Sequence, residues 1–221
     1  MGARAQAILP LALVVGVLSY LWTELSLNFT FHWYTLSGTD KAGSVGVPQS
    51  FHLILPTAFI SWGLFFCAGG DNAAFGKIVV ASVFGTVAAL ITMYLSYKTA
   101  KFPDFWGIAL WVGIFAFILV AILIAGDWYY VAGTFPAFAS VFLWWIATGL
   151  DGWAPGGGGD KSSTAAWAAN PGSGAFKGLI STTWGWVWFD TLVTLICGVI
   201  LGIVSAKVAA LITPKPKAAE G

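Results

Sequence analysis

The chain has 221 residues, of which 58% are hydrophobic and only 9% charged, and its formal net charge is +1. A soluble domain carries roughly 25% charged residues, so the composition excludes a water-soluble globule. Ten Lys and Arg against nine Asp and Glu leave no basic surface for a run of phosphates, which argues against a nucleic-acid partner. Cys67 and Cys197 both lie in apolar runs, where a thiol acts as a small hydrophobe, so neither a disulfide framework nor a zinc site is indicated.

The apolar runs are continuous rather than alternating. Lipid offers the backbone no hydrogen-bond partners, so this pattern predicts an all-α integral membrane protein, a single polytopic domain over residues 1–221. A helix needs about 20 apolar residues to cross the hydrocarbon, and that criterion places the first span at residues 8–27. The basic flank at Arg4 resembles a signal peptide, but the apolar run continues without a small-residue cleavage site, so this segment reads as a retained helix. The second span, 51–68, follows a stretch bearing Gly, Ser and Pro and closes at Gly69 and Gly70. Gly69, Gly70, Asp71 and Asn72 read as an interhelical turn in which Asp71 or Asn72 caps the next helix, in preference to an anion-binding loop. The third span is 75–97. A polar turn at Lys98, Lys101, Pro103 and Asp104 leads to the fourth at 105–125, and Gly126 and Asp127 lead to the fifth at 128–150.

Residues 151–174, with four consecutive Gly at 156–159, read as a flexible loop. The apolar stretch beyond is too long for one span, and it divides into a short interfacial or re-entrant piece at 175–188 and a sixth span at 189–211. Six crossings put both termini on one side, and Arg4, Lys215 and Lys217 make that side the cytoplasm. Of the thirteen Trp, Trp22, Trp33, Trp106, Trp128, Trp153 and Trp184 fit belts at the membrane interfaces. Trp62, Trp111, Trp144 and Trp145 sit deeper and suit packing or cavity lining.

Two parts of the chain look related. PTAFISWGLFFCAGG at 56–70 precedes AFGK at 74–77, and GTFPAFASVFLWWIATG at 133–149 precedes AFKG at 175–178. Copies three spans apart would cross the membrane in opposite directions, which predicts a 3+3 inverted repeat of the kind that lines a central solute site. Apolar aromatic sequences punctuated by Gly also resemble one another by composition alone.

At FISWGLFFCAGG (59–70), at Gly76 and Lys77, and at VAGTFPAFA (131–139) the chain resembles the YcdZ-like bacterial inner-membrane family, domain of unknown function 1097. That resemblance implies a small multi-pass plasma-membrane protein of a bacterium and supplies no catalytic residues.

No nucleophile elbow, metalloprotease helix or phosphate loop is present, so no enzyme activity and no cofactor is expected. His32 and His52, without a convergent carboxylate or thiolate, make a poor metal site. Asp190 is the leading ionisable candidate within the membrane, although its setting in WFDTL also reads as a helix cap. Glu24 reads as an interfacial acid that reaches water. Gly198 and Gly202 form a close-packing face. The functional expectation is a channel or transporter for an uncharged or weakly polar small solute, with a path lined by Trp62, Phe66, Thr134, Trp145 and Asp190. The alternative is an accessory subunit of a larger membrane complex. Either reading implies the bilayer as environment and self-association or membrane partners.

Overall fold

The computed structural model describes residues 3–33, 51–103, 105–126, 129–148, 150 and 184–214. Among these it is all-helical, with α1 (Ala3–Asn28), α2 (Leu55–Cys67), α3 (Asn72–Lys98), α4 (Trp106–Ala121), α5 (Val131–Ala147) and α6 (Trp184–Ile212). A π-helical turn, Phe29–Trp33, extends α1, and a 3-10 turn, Ile122–Ala125, extends α4. Four helical stretches, Ile8–Phe31, Asn72–Lys98, Trp106–Ala125 and Gly185–Ile212, are long and apolar enough to cross a membrane. The helices in the second and fifth predicted spans are shorter, with 13 residues in α2 and 17 in α5. At 1.5 Å per residue α2 covers only about 20 Å of a hydrocarbon layer about 30 Å thick.

Local sequence accounts for the boundaries. Asp71 caps α3 by accepting from the Ala74 N–H at 2.7 Å, and Gly69 and Gly70 take φ of 120° and 70° to make the turn before it. Pro56 occupies the first turn of α2, where its missing N–H costs nothing. The loop predicted at 151–174 and the re-entrant piece from 175 onward lie outside the described residues as far as 183. Residues 184–188 are the opening of α6 itself rather than a separate segment.

Two long helices, α3 and α6, form the centre. α6 packs on α1, α2, α3 and α5, while α3 also packs on α4 and α5. Gly198 of α6 lies so close to α2 that a Cβ there would strike the Ala58 carbonyl and the Ser61 hydroxyl. Gly85 of α3 lies equally close to α5, where a Cβ would meet the Thr134 carbonyl, the Ala137 Cβ and the Phe138 N–H. These are the small-residue contacts through which helices associate in lipid, where the hydrophobic effect gives no drive.

The buried apolar residues form two clusters. One joins Ile54, Ala89, Met93, Trp144, Trp145 and Val187. It therefore gathers the start of α2, the far half of α3, the end of α5 and the start of α6. The other joins Phe65, Ala74, Ile78 and Val199, with Phe66 and Tyr130 against it. It gathers the opposite ends of the same four helices, so α2 runs antiparallel to α5 and α3 antiparallel to α6.

The outer faces of α1 and α4 are apolar and exposed, as at Leu13, Tyr20, Phe117 and Ile124. Trp106 is exposed at the start of α4, but Trp22, predicted for an interfacial belt, is buried and donates its indole N–H to the Leu55 carbonyl at 3.3 Å. The side chains of Trp33, Trp128, Trp153 and Trp184 lie outside the described residues.

Candidate functional site

The segment 51–54 that leads into α2 is not helical. Buried backbone N–H and C=O groups outside a helix need other partners, and side chains from two helices supply them here. The Thr30 hydroxyl donates to the Leu53 carbonyl at 3.0 Å and accepts from the Leu53 N–H at 3.2 Å. The Thr194 hydroxyl of α6 accepts from the Ile54 N–H at 3.2 Å. Trp22 completes the set at Leu55.

Asp190 lies one turn before Thr194 on α6, fully buried. Because α6 begins at Trp184, Asp190 falls in its second turn and does not cap it. Its carboxylate faces the His52 backbone N–H and the Trp144 indole N–H, but neither oxygen closes a hydrogen bond of standard geometry. The His52 ring, itself buried, packs edge-on to Trp144 with centroids 5.7 Å apart. His52 Nδ1 and the buried Thr57 hydroxyl likewise have no hydrogen-bond partner among the described residues. The Asp190 carboxylate and the His52 imidazole thus both lie against Trp144, and Thr57 stands in the first turn of α2 beyond them. Burying such groups unpaired is expensive.

The five predicted path residues divide between the two clusters. Trp145 is completely buried in the first, and Asp190 lies beside it next to Trp144. Phe66 packs against the second cluster. Trp62, buried on α2, donates to the Ser205 hydroxyl of α6 at 3.1 Å. The Thr134 hydroxyl donates to the Tyr130 carbonyl at 3.1 Å. Thr134 also lines a cavity of about 210 Å³ between α3 and α5, with Lys77, Phe84, Tyr129 and Tyr130, and none of the other four predicted residues borders it. A second cavity, of about 220 Å³, is bordered by Thr30, Phe31, Ile54, Pro56 and Trp144.

Sequence reasoning passed over Thr30, Thr57 and Thr194, whose signal was a set of hydroxyl residues in otherwise apolar segments. Glu24, as expected, is exposed. The side chain of His32 lies outside the described residues. Among the described residues no group of three His, Cys, Asp or Glu gathers to hold a metal ion.

The family model for proteins of unknown function, DUF1097, matches residues 12–210. The chain belongs to the DUF1097 family. That match takes in all of α2 to α5 and most of α1 and α6, so it covers the whole helical core as one unit. No curated protein and no solved structure matches the chain.

Proposed function

We propose that this DUF1097 protein is a small-solute channel or transporter of the bacterial inner membrane, built from two inverted halves of three helices. The observation that carries the reading is the reciprocal packing of the short helices. α2 of the first half is clasped by α6 of the second through Gly198, and α5 of the second is clasped by α3 of the first through Gly85. Placing Gly85 on Gly198 lays the buried residues Ile78, Ala81, Ser82, Thr86, Ala89 and Thr92 on Thr191, Thr194, Leu195, Val199, Gly202 and Ser205, which are buried too. Exchanging the halves also carries one apolar cluster onto the other. Short apolar segments in corresponding positions of two halves point to the solute site of a transporter.

In this reading all six helices cross, with flanking non-helical residues completing the passage of α2 and α5, and both termini are cytoplasmic. The solute moves between the halves past Trp62, Phe66, Thr134, Trp145 and Asp190. An aromatic lining with few charges suits uncharged or weakly polar solutes. The test is stopped-flow light scattering on proteoliposomes challenged with urea, glycerol and a larger polyol. Faster equilibration of at least one solute than in protein-free liposomes, altered by Trp62→Ala, is expected. Rates equal to the protein-free control for all of them, with insertion verified, would refute it.

A second reading rests on the outer faces of α1 and α4, where Leu13, Phe117 and Ile124 are exposed apolar side chains. If these faces meet protein instead of lipid, the chain is an accessory subunit or a homo-oligomer. Native mass spectrometry of the complex extracted from membranes separates the two, since foreign chains at a fixed ratio favour the accessory role.

A further inference from the structure

Asp190, His52 and Thr57 share one property, which is a buried polar side-chain atom that closes no hydrogen bond among the described residues. Both carboxylate oxygens, which face the His52 backbone N–H and the Trp144 indole without closing a bond, His52 Nδ1 and the Thr57 hydroxyl are enclosed with no hydrogen-bond partner among the described residues. They lie along one seam: Thr194, a turn on from Asp190, holds the Ile54 N–H, and the Ile54 carbonyl accepts from the Thr57 N–H at 3.1 Å. We propose that Asp190, His52 and Thr57 form a binding site for a small monovalent cation, a proton or a sodium ion.

Among the described residues no side chain supplies the missing positive charge. α2 and α5 carry no Lys or Arg, and Glu24 of α1, Lys77 of α3 and Lys207 of α6 are exposed. Lys98 of α3 is exposed as well and is drawn over the Tyr94 and Tyr97 rings, at 5.2 and 5.6 Å from their centroids. His52 is therefore the one described titratable group from the packed elements that adjoins Asp190. A neutral guest would leave the carboxylate charge uncompensated, and a transition metal or divalent ion prefers more anionic or imidazole ligands than one carboxylate and one histidine. A proton needs no room and neutralises the carboxyl. Sodium would draw on the carboxylate, the Thr57 hydroxyl and the remaining lone pair of Thr194, beside the unwound backbone of 51–54, a setting in which membrane proteins bind such ions. The competing account is structural: the N-cap of α2, Ile54, gives no side-chain cap, and Asp190 would serve only as a fixed anion beside the N-terminus of that helix.

The site stands or falls independently of solute transport, and its test needs no flux. The full-length protein is melted in detergent, followed by its tryptophan fluorescence. One series varies sodium chloride against choline chloride at constant pH and ionic strength, and another varies pH at constant salt. A ligand bound only by the folded state raises the melting temperature by roughly 3 to 6 °C for each tenfold excess over its dissociation constant. Sodium-specific stabilisation that vanishes in Asp190→Asn and shrinks in Thr57→Val identifies sodium. A rise in melting temperature on acidification that Asp190→Asn abolishes and Thr57→Val preserves identifies a proton. A wild-type melting temperature indifferent to sodium and equal to Asp190→Asn in its pH profile overturns the proposal and leaves the fixed-anion account.

Discussion

Adding one methyl group to α6 should separate this packing scheme from a loose bundle. In Gly198→Ala the new Cβ meets the Ala58 carbonyl and its carbon on α2 as well as the Ser61 hydroxyl. Backbone atoms cannot rotate away, so α2 and α6 must part, and overpacking of this kind costs about 1–3 kcal/mol. Taking 2 kcal/mol and roughly 2–4 °C per kcal/mol for a chain of this size, the melting temperature falls by about 4–8 °C. Gly85→Ala should cost a similar amount, because it strikes Thr134, Ala137 and Phe138 on α5. Gly113 of α4 has nothing within 4 Å of such a Cβ, so Gly113→Ala removes only the glycine penalty and is neutral or stabilising by up to about 1 kcal/mol. Thermal unfolding of the three variants in one detergent, followed by tryptophan emission, is the assay. If Gly198→Ala and Gly85→Ala melt with wild type, the close approach of the long helices to the short ones is wrong, and the proposed reciprocal packing of two halves falls with it.

Gly202→Ala meets ring atoms of Phe65, which a smaller side chain can yield, so Phe65→Leu should recover part of its lost stability in a double-mutant cycle. Thr30→Val strands the N–H and the carbonyl of Leu53 and should cost about 1–3 kcal/mol, whereas Thr30→Ser, read by the same melts, should cost far less. Trp62→Phe removes the bond to Ser205 and should destabilise by about 0.6–1.7 kcal/mol, and adding Ser205→Ala should cost only the bond from Ser205 to the Gly202 carbonyl. Asp71→Ala deletes the cap of α3 and should cost about 1 kcal/mol, which Asp71→Asn largely restores.

The long helices were readable because crossing the hydrocarbon demands an apolar run of fixed length, and the turn at Gly69 to Asp71 because positive φ and capping favour particular residues. The close-packing role of Gly198 and Gly202 followed from the same kind of local signal. The short length of α2 was hidden. The apolar run at 51–68 continues through non-helical residues whose backbone is satisfied by Thr30, 23 residues away, and Thr194, 140 residues away from its partner. Asp190 resembled a cap because hydrogen-bonding residues follow aromatic ones at helix starts, yet the Trp-rich residues before it are themselves helical. The close approach of Gly85 to α5 left no local signal of its own, because it depends on Thr134, Ala137 and Phe138, some fifty residues further along the chain.

The clasp between α2 and α6 has a cost in time. Ser61 donates to Leu195, and Trp62 to Ser205, across 134 and 143 residues of chain. At 5–20 residues per second, a ribosome delivers α2 to the membrane roughly 7–30 s before its partner emerges. During that interval the Ile54 N–H has no Thr194 and the Ser61 hydroxyl has no interhelical acceptor, in a helix too short to span the bilayer alone. A nascent chain cut before α6 therefore lacks every one of these partners, and α2 becomes secure only when the last helix arrives.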